Sequence, residues 1–186
     1  MFGWIILAVL AVVVIWLIAT FNNLVSLKNQ TLNGWKQIDV QLKRRHDLIP
    51  NLVETVKGIM KFEQETLTRV IEARNKAISA VSVADKATQE NVLTGALRQL
   101  FALVENYPEL KSNENVSKLQ EELISTENRI SFARQFYNDI ATKFNIRQQT
   151  FPTNIVAGVL GFQAAELFEV KDAAEKEVPK VDLNLK

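Results

Sequence analysis

The chain has 186 residues and carries 22 lysines and arginines against 21 aspartates and glutamates, a formal net charge of +1. A near-neutral total argues against a nucleic-acid partner, because nucleic-acid-binding proteins usually concentrate basic residues. The absence of cysteine excludes disulfides, thiolate metal sites and a cysteine nucleophile together. When the apolar N-terminal run and the polar C-terminal stretch are set aside, about 130 to 140 residues remain, which is enough for one domain.

The N-terminal run Met1–Ala19 contains no charged side chain, and the first charged residue is Lys28. A helix needs about 20 apolar residues to cross a bilayer core, so residues 1–21 are predicted to be a transmembrane anchor in the lipid bilayer. A secretory signal peptide would need a basic segment before the run and small residues at a cleavage site, and neither is present. We therefore expect an uncleaved, single-pass span. Aromatic side chains near its ends are predicted to anchor it at the membrane interfaces, namely Trp4, Trp16 and Phe21.

Basic residues are distributed unevenly about this span. None precedes it, whereas Lys28 and Lys36 follow it closely and a further basic run lies at residues 43–45. The positive-inside rule therefore predicts that the domain after the span lies in the cytoplasm.

After the anchor, apolar residues recur at alternating steps of three and four from Leu24 to Ile59, which indicates a helix packed along one seam. A helix over residues 22–60 would be roughly 55 to 60 Å long. Pro50 lies inside it and removes one backbone donor, but the seam keeps its phase across this residue. The pattern therefore predicts a kink at Pro50 rather than the end of the helix.

Three more helices are predicted further along the chain. The seam loses its phase over residues 58–65, which favours a turn into the second helix, although a stutter in one continuous helix would look the same. The segment Val83–Thr88 is interpreted as a connection, with Thr88 capping a third helix that ends before Pro108. The apolar stripe of this helix is predicted to consist of Val92, Ala96, Leu100, Leu103 and Tyr107. The clearest stripe predicts a fourth helix over residues 114–148. No segment alternates with period two, so strands are not predicted.

These patterns predict an all-α fold, in which one N-terminal transmembrane helix is followed by an antiparallel up-and-down four-helix bundle within residues 22–169. Four alternating helices would return the chain to the bilayer. If the first two helices formed a single rod, the chain would instead end far from it. Residues 170–186 are rich in charged residues and are predicted to be a flexible polar tail.

An apolar segment, residues 151–169, follows the fourth helix and is too short for a second span, because Glu166 interrupts it. It could fold back over the open end of the bundle, contact another copy of the chain, or insert into the membrane interface. The candidate self-association residues are Phe151, Ile155, Val156, Val159, Leu160 and Phe162.

The sequence shows no motif for catalysis or cofactor binding. Carboxylate-bridged metal bundles need paired Glu-x-x-His motifs, and the chain has a single histidine, His46. Phosphate-binding loops and nucleophile elbows do not occur either. We therefore predict a non-enzymatic protein with no catalytic residues, no metal and no cofactor.

One charged residue, Arg45, falls on the seam of the first helix and needs carboxylate partners there. It is predicted to form a polar lock with Glu127 and Asp139 of the fourth helix. The alternative is an arginine that extends its guanidinium to solvent. The neighbouring His46 is either a pH sensor or an ordinary polar residue on a helix face.

Several stretches resemble the LemA family. The longest is Ile38–Gly58, and the others are Phe21–Val25, Glu127–Ile130, Phe132–Gln135, Tyr137–Asp139 and Phe151-Pro152. The resemblance implies a bacterial inner-membrane protein with one N-terminal membrane segment and an antiparallel helical bundle. It supplies no catalytic residue, because no activity is attached to the family's motifs. Phe21 stands where tyrosine is usual, and Ile59-Met60 stands where Tyr-Ala is frequent.

Two functions fit these patterns. The first is a membrane-anchored scaffold that forms a homo-oligomer and organises membrane or partner proteins. The second is a signalling or quality-control adaptor that recruits another membrane protein, such as a protease, through an exposed face. The sequence offers long apolar seams and one unexplained apolar segment, but no motif of chemically reactive groups. This favours the scaffold.

Overall fold

The computed structural model describes residues 1–59 and 64–169, and within these ranges the fold is all-α with no strand. The predicted flexible tail, residues 170–186, lies outside the described residues. The helices are α1 (Phe2–Ile59), α2 (Gln64–Ser79), α3 (Val83–Asn106), α4 (Pro108–Lys111), α5 (Glu114–Gln149) and α6 (Thr153–Val159).

The anchor and the first bundle helix are one continuous helix. α1 has 58 residues and is therefore about 87 Å long. None of residues 2–19 is buried, whereas burial begins at Thr20 and Leu24 and recurs along one seam to Val56. The helix continues through Pro50, as the unbroken seam predicts.

A side chain from α2 compensates for the proline in α1. Pro50 has no backbone N–H, so the carbonyl of His46, one turn earlier, loses its partner within the helix. Nε of Arg74 donates to that carbonyl at 2.7 Å. α2 thus supplies from outside the hydrogen bond that the proline removes, which satisfies a backbone group that would otherwise be buried without a partner.

The four long helical segments pack side by side and alternate in direction. α2 doubles back along α1, so a single rod for the first two helices is excluded. α3 runs in the same direction as α1, since Lys86 pairs with Asp39 and Glu90 pairs further along with Arg45. α5 returns towards the span, where its Phe144 joins the apolar cluster around the start of the bundle.

The core divides into three clusters along the bundle axis. The largest lies far from the span and joins α1 through α5. The middle cluster packs Ile38 against Tyr137 and takes in Phe168 from the C-terminal segment. The third lies beside the span and consists of Leu24, Phe144, Val156 and Ala157.

The start of α3 differs from the sequence prediction. The helix begins at Val83, and the side chain of Ser82 caps it by accepting a backbone N–H bond at 3.0 Å. The predicted connection Val83–Thr88 is therefore wrong, because its small and polar residues suit a capped first turn as well as a loop. The buried face of α3 also differs from the predicted stripe, since it contains Leu93, while Val92 is half exposed.

Gly34 marks a close approach between α1 and α5. A Cβ added there would lie 3.4 Å from Cα and 3.6 Å from Cβ of Tyr137, which leaves room for a methyl group and little more. We expect Gly34→Ala to be accommodated and Gly34→Leu to force the helices apart at a cost of about 1 to 2 kcal/mol.

Thermal unfolding of the full chain in detergent, followed by circular dichroism, measures this effect. Gly95→Leu is the matched control, because a Cβ on Gly95 would meet no atom of the described residues within 4 Å. Equal unfolding temperatures for Gly34→Leu and the unmodified chain would show that the two helices can separate freely at this point.

Candidate functional site

A buried polar cluster lies in the middle of the bundle, where α1, α3 and α5 meet. Nη1 of Arg45 lies 2.9 Å from Oε2 of Glu127 and 3.3 Å from Oε2 of Glu90. Its Nη2 donates to Oγ1 of Thr94 at 2.7 Å. Nε2 of His46 lies 2.7 Å from Oε1 of Glu90. The cluster therefore ties three helices together through one guanidinium.

Burial governs the electrostatics of this cluster. The side chains of Arg45 and Glu90 are only 3% and 6% exposed. Burial lowers the pKa of the Arg45 guanidinium, and the carboxylates of Glu127 and Glu90 act in the opposite direction. Because a guanidinium is not deprotonated in proteins, the group stays charged and depends on these two carboxylates.

The structure brings together only part of the predicted polar lock. Arg45 and Glu127 are in contact, whereas Asp139 lies exposed on α5, about 18 Å further along the helix. Glu90 is not among the residues predicted from the sequence, because the predicted apolar face of the third helix contains Val92, whereas the observed buried face contains Glu90 and Leu93. The available signal was that Glu90 lies three residues after Ala87 and three before Leu93, a spacing that places all three on one face of a helix.

The side chains of the cluster join three helices through ion pairs and hydrogen bonds. Within residues 1–59 and 64–169, no group of three or more His, Cys, Asp or Glu side chains could hold a metal ion. His46 is nearly buried and is bonded to Glu90. Its action as a pH sensor stays a prediction.

An extended strap, residues 162–169, runs along α5. The side-chain amide of Asn145 donates to the carbonyl of Ala165 at 2.9 Å and accepts from its N–H at 2.8 Å. Asn138 pairs with the backbone of Phe168 in the same way, at 3.2 and 2.8 Å. The backbone of an extended chain normally forms hydrogen bonds with a neighbouring strand. Here the side-chain amides of Asn138 and Asn145 on α5 provide such bonds instead.

Aromatic contacts hold the end of the strap. The ring of Phe168 lies 5.9 Å from that of Trp35, and Cζ of Arg134 lies 4.8 Å from the Phe168 ring centroid. The hydroxyl of Tyr137 donates to the carbonyl of Glu166 at 2.6 Å. Burial raises the pKa of Tyr137, and the charge of Glu166 adds to this effect, so the donor is retained at physiological pH.

Asn138→Leu should release the strap. It removes two hydrogen bonds and leaves the backbone of Phe168 without partners, so we expect amide exchange in residues 162–169 to become about tenfold faster. Hydrogen exchange with mass spectrometry on the full chain in detergent measures this rate. Asn51→Leu, at an exposed position on α1, is the matched control. Unchanged protection would mean that packing of the Phe168 ring alone holds the strap.

Before the strap, the C-terminal segment forms α6, which lies against the base of the bundle beside the span. Its buried residues are Thr153, Val156 and Ala157, and the exposed ones around it are Phe151, Ile155, Val159 and Leu160. The ring of Phe162 packs edge-on at 6.3 Å against the rings of Phe21 and Phe144. The segment therefore folds back over the bundle end, while its outer face remains uncovered.

This outer face is continuous with the end of the span. It lines an apolar groove with residues from both elements, namely Leu17, Ile18, Phe21, Ile155, Val156, Val159 and Leu160. Of the predicted interface anchors, Trp16 and Phe21 lie at this end of the span. Trp4 lies about 18 Å from Trp16 towards the other end. All three are exposed on the surface of α1.

A second apolar surface lies on the bundle wall, beyond the base. It consists of Val40 on α1 with Phe132 and Phe136 on α5, and we call it the wall face. Phe132 is 73% exposed, and Lys36 and Arg129 are among the residues that line the adjoining groove of about 590 Å³. Sequence reasoning missed this surface because its residues lie off the buried seams. Two phenylalanines one turn apart were the available signal.

Comparison with known proteins gives these features a family. Residues 34–183 match the LemA family, which is most of the chain. The chain belongs to the LemA family. Its apolar N-terminal helix and its relatives indicate a membrane-associated protein.

The relatives of this LemA-family chain come from different bacteria. "Protein LemA" of Metamycoplasma hominis is 29% identical over 167 residues, covering 88% of this chain and 73% of that protein. "Magnetosome protein MamQ 2" of Paramagnetospirillum magneticum is 25% identical over 188 residues, covering 87% of this chain and 69% of that protein. "Magnetosome protein MamQ" of Magnetospirillum gryphiswaldense is 22% identical with the same coverage.

Proposed function

We propose that this LemA-family protein is a non-enzymatic, membrane-anchored scaffold whose copies associate side by side and organise membrane or partner proteins. The observation that supports it is the wall face. Three large apolar side chains are exposed together on a part of the bundle that the span holds away from the bilayer. Clusters of this kind on a water-facing surface are typical of protein contacts.

Association through the wall face is energetically plausible for anchored copies. Full burial of one phenylalanine side chain contributes about 1.5 to 3 kcal/mol. The wall face offers Phe132 and Phe136 from every copy. The span confines all copies to one membrane with the same alignment, which raises their effective concentration and lets a modest contact suffice.

Cysteine cross-linking tests the scaffold directly, because the chain has no cysteine of its own. Phe136→Cys should give cross-linked dimers in native membranes. Val92→Cys, at a half-exposed apolar position on α3, should not. Adding Phe132→Ser to the Phe136→Cys chain should sharply lower the yield. Equal cross-linking at residues 136 and 92 would indicate random collision and contradict the proposal.

The same experiment separates the scaffold from the adaptor. A cross-link from Phe136→Cys to one different membrane protein, with none to a second copy, would replace the scaffold by the adaptor function. Mass spectrometry of the cross-linked band identifies which of the two has formed.

A further inference from the structure

Charge is sorted sharply along this nearly neutral molecule. Residues 1–38 and 140–165 contain no acidic side chain. They make up the span, the first part of the bundle in α1, the last part of α5, and α6. They carry four basic residues, namely Lys28, Lys36, Lys143 and Arg147. The base of the domain is therefore basic, although the chain as a whole has a charge of only +1.

Three of these basic side chains lie at the end of the bundle next to the span. Lys28 follows Phe21 by about 10 Å along α1, and its Nζ lies 5.9 Å from the centroid of the Phe162 ring. Arg147 is exposed in the last turn of α5, and Lys143 is exposed one turn earlier. α6 begins just after that helix, so the basic groups and α6 share one end of the bundle.

The outer face of α6 continues the lipid-facing surface of the span. Val159 is 81% exposed, and Ile155 and Leu160 are more than half exposed. They share a groove with Leu17 and Ile18, which are span residues. A side chain at that height meets the acyl region or the headgroups of the bilayer, where exposed apolar surface is stabilised.

We propose that the base of the domain is a docking surface for anionic lipid. α6 lies in the membrane interface with Ile155, Val159 and Leu160 in the acyl region. Lys28, Lys143 and Arg147 bind the phosphates of anionic headgroups. An apolar face bordered by basic residues is what an interfacial helix requires, and each basic side chain near an anionic lipid surface adds to the attraction.

This second attachment restrains the orientation of the domain. A single helical span permits the bundle to tilt and to rotate about the span axis. An inserted α6 on one side of the span fixes both movements, because two separate points then lie in the bilayer. The wall face is then held in a constant orientation to the membrane plane. The lipid contact does not depend on self-association, so either proposal can fail without the other.

Fluorescence quenching in vesicles tests the lipid contact with the full chain. A polarity-sensitive fluorophore is placed on Val159→Cys, and on Val92→Cys as the control far from the base. The protein is reconstituted into phosphatidylcholine vesicles with or without one third phosphatidylglycerol. With phosphatidylglycerol present, we expect lipids that carry a nitroxide on the acyl chain to quench the probe at residue 159 several-fold more than the probe at residue 92.

The other outcomes overturn the proposal. Quenching at residue 159 by aqueous iodide would place the face in water. Quenching by neither reagent would place it in a contact with protein, such as a second copy.

Charge is tested separately with a paired variant. Lys143→Gln with Arg147→Gln should reduce lipid quenching at residue 159 in the anionic vesicles to its level in pure phosphatidylcholine. Lys118→Gln, far from the base on α5, should leave it unchanged. Equal quenching in both lipids and in all variants would overturn the role of the anionic headgroup.

Discussion

Glu90→Gln should lower the free energy of unfolding by about 3 kcal/mol, because it leaves the buried Arg45 with Glu127 as its one carboxylate partner among the described residues. A guanidinium that cannot be deprotonated must then remain in a site with too little compensating charge. Glu122→Gln is the matched control, since the Arg44–Glu122 pair is about half exposed and should contribute less than about 1 kcal/mol.

The measurement is thermal unfolding of the full chain in detergent. For a domain of this size, about 3 kcal/mol corresponds to a fall in unfolding temperature of roughly 6 to 12 °C. Arg45→Met combined with Glu90→Gln should recover much of the loss, because the buried guanidinium is then absent and the side-chain amide at position 90 can keep its hydrogen bond to His46. Equal effects of Glu90→Gln and Glu122→Gln would contradict the polar lock. Packing, rather than its carboxylate partners, would then hold the Arg45 side chain in position.

The fourth helix shows where sequence reasoning succeeds. Its stripe of apolar residues predicts residues 114–148, and α5 spans Glu114–Gln149 with Asn113 as its N-cap. Helical spacing and a cap at one end are local properties, so a single sequence carries them fully. The same holds for α1, whose seam stays in phase through Pro50.

The polar cluster shows why the rest could not be predicted. To choose partners for Arg45, one must know the height and the rotation of each neighbouring helix relative to α1. The spacing of apolar residues within a helix gives neither. Asp139 was chosen by approximate height and lies far from the cluster. Glu90 could not be identified because the predicted apolar face of the third helix contains Val92 and is rotated from the observed buried face, which contains Glu90 and Leu93. The strap, residues 162–169, pairs with two asparagine side chains and therefore leaves no periodic pattern to read.

A double-mutant cycle on Arg74 and Pro50 should reveal how α1 tolerates its proline. Arg74→Met leaves the His46 carbonyl without a donor, which should cost about 2 kcal/mol. In a Pro50→Ala background, the backbone N–H at position 50 can reach the same carbonyl through an ordinary helical bond. The cost of Arg74→Met should then fall to a few tenths of a kcal/mol, because the carbonyl no longer depends on α2.

Unfolding temperatures of the four chains, measured in one detergent, give the coupling between the two sites. Equal costs of Arg74→Met in both backgrounds would mean that Arg74 stabilises the bundle through its other contacts, such as that of its Nη1 with Asn75. A large coupling would mean that the hydrogen bond from Arg74 of α2 takes the place of the helical bond that α1 lacks at Pro50. The proline would then be tolerated only while α2 is packed, so loosening α2 should also weaken α1 at Pro50. Because α1 contains both the span and the first bundle helix, a weakened helix at Pro50 would lie between the anchor and the far end of the bundle.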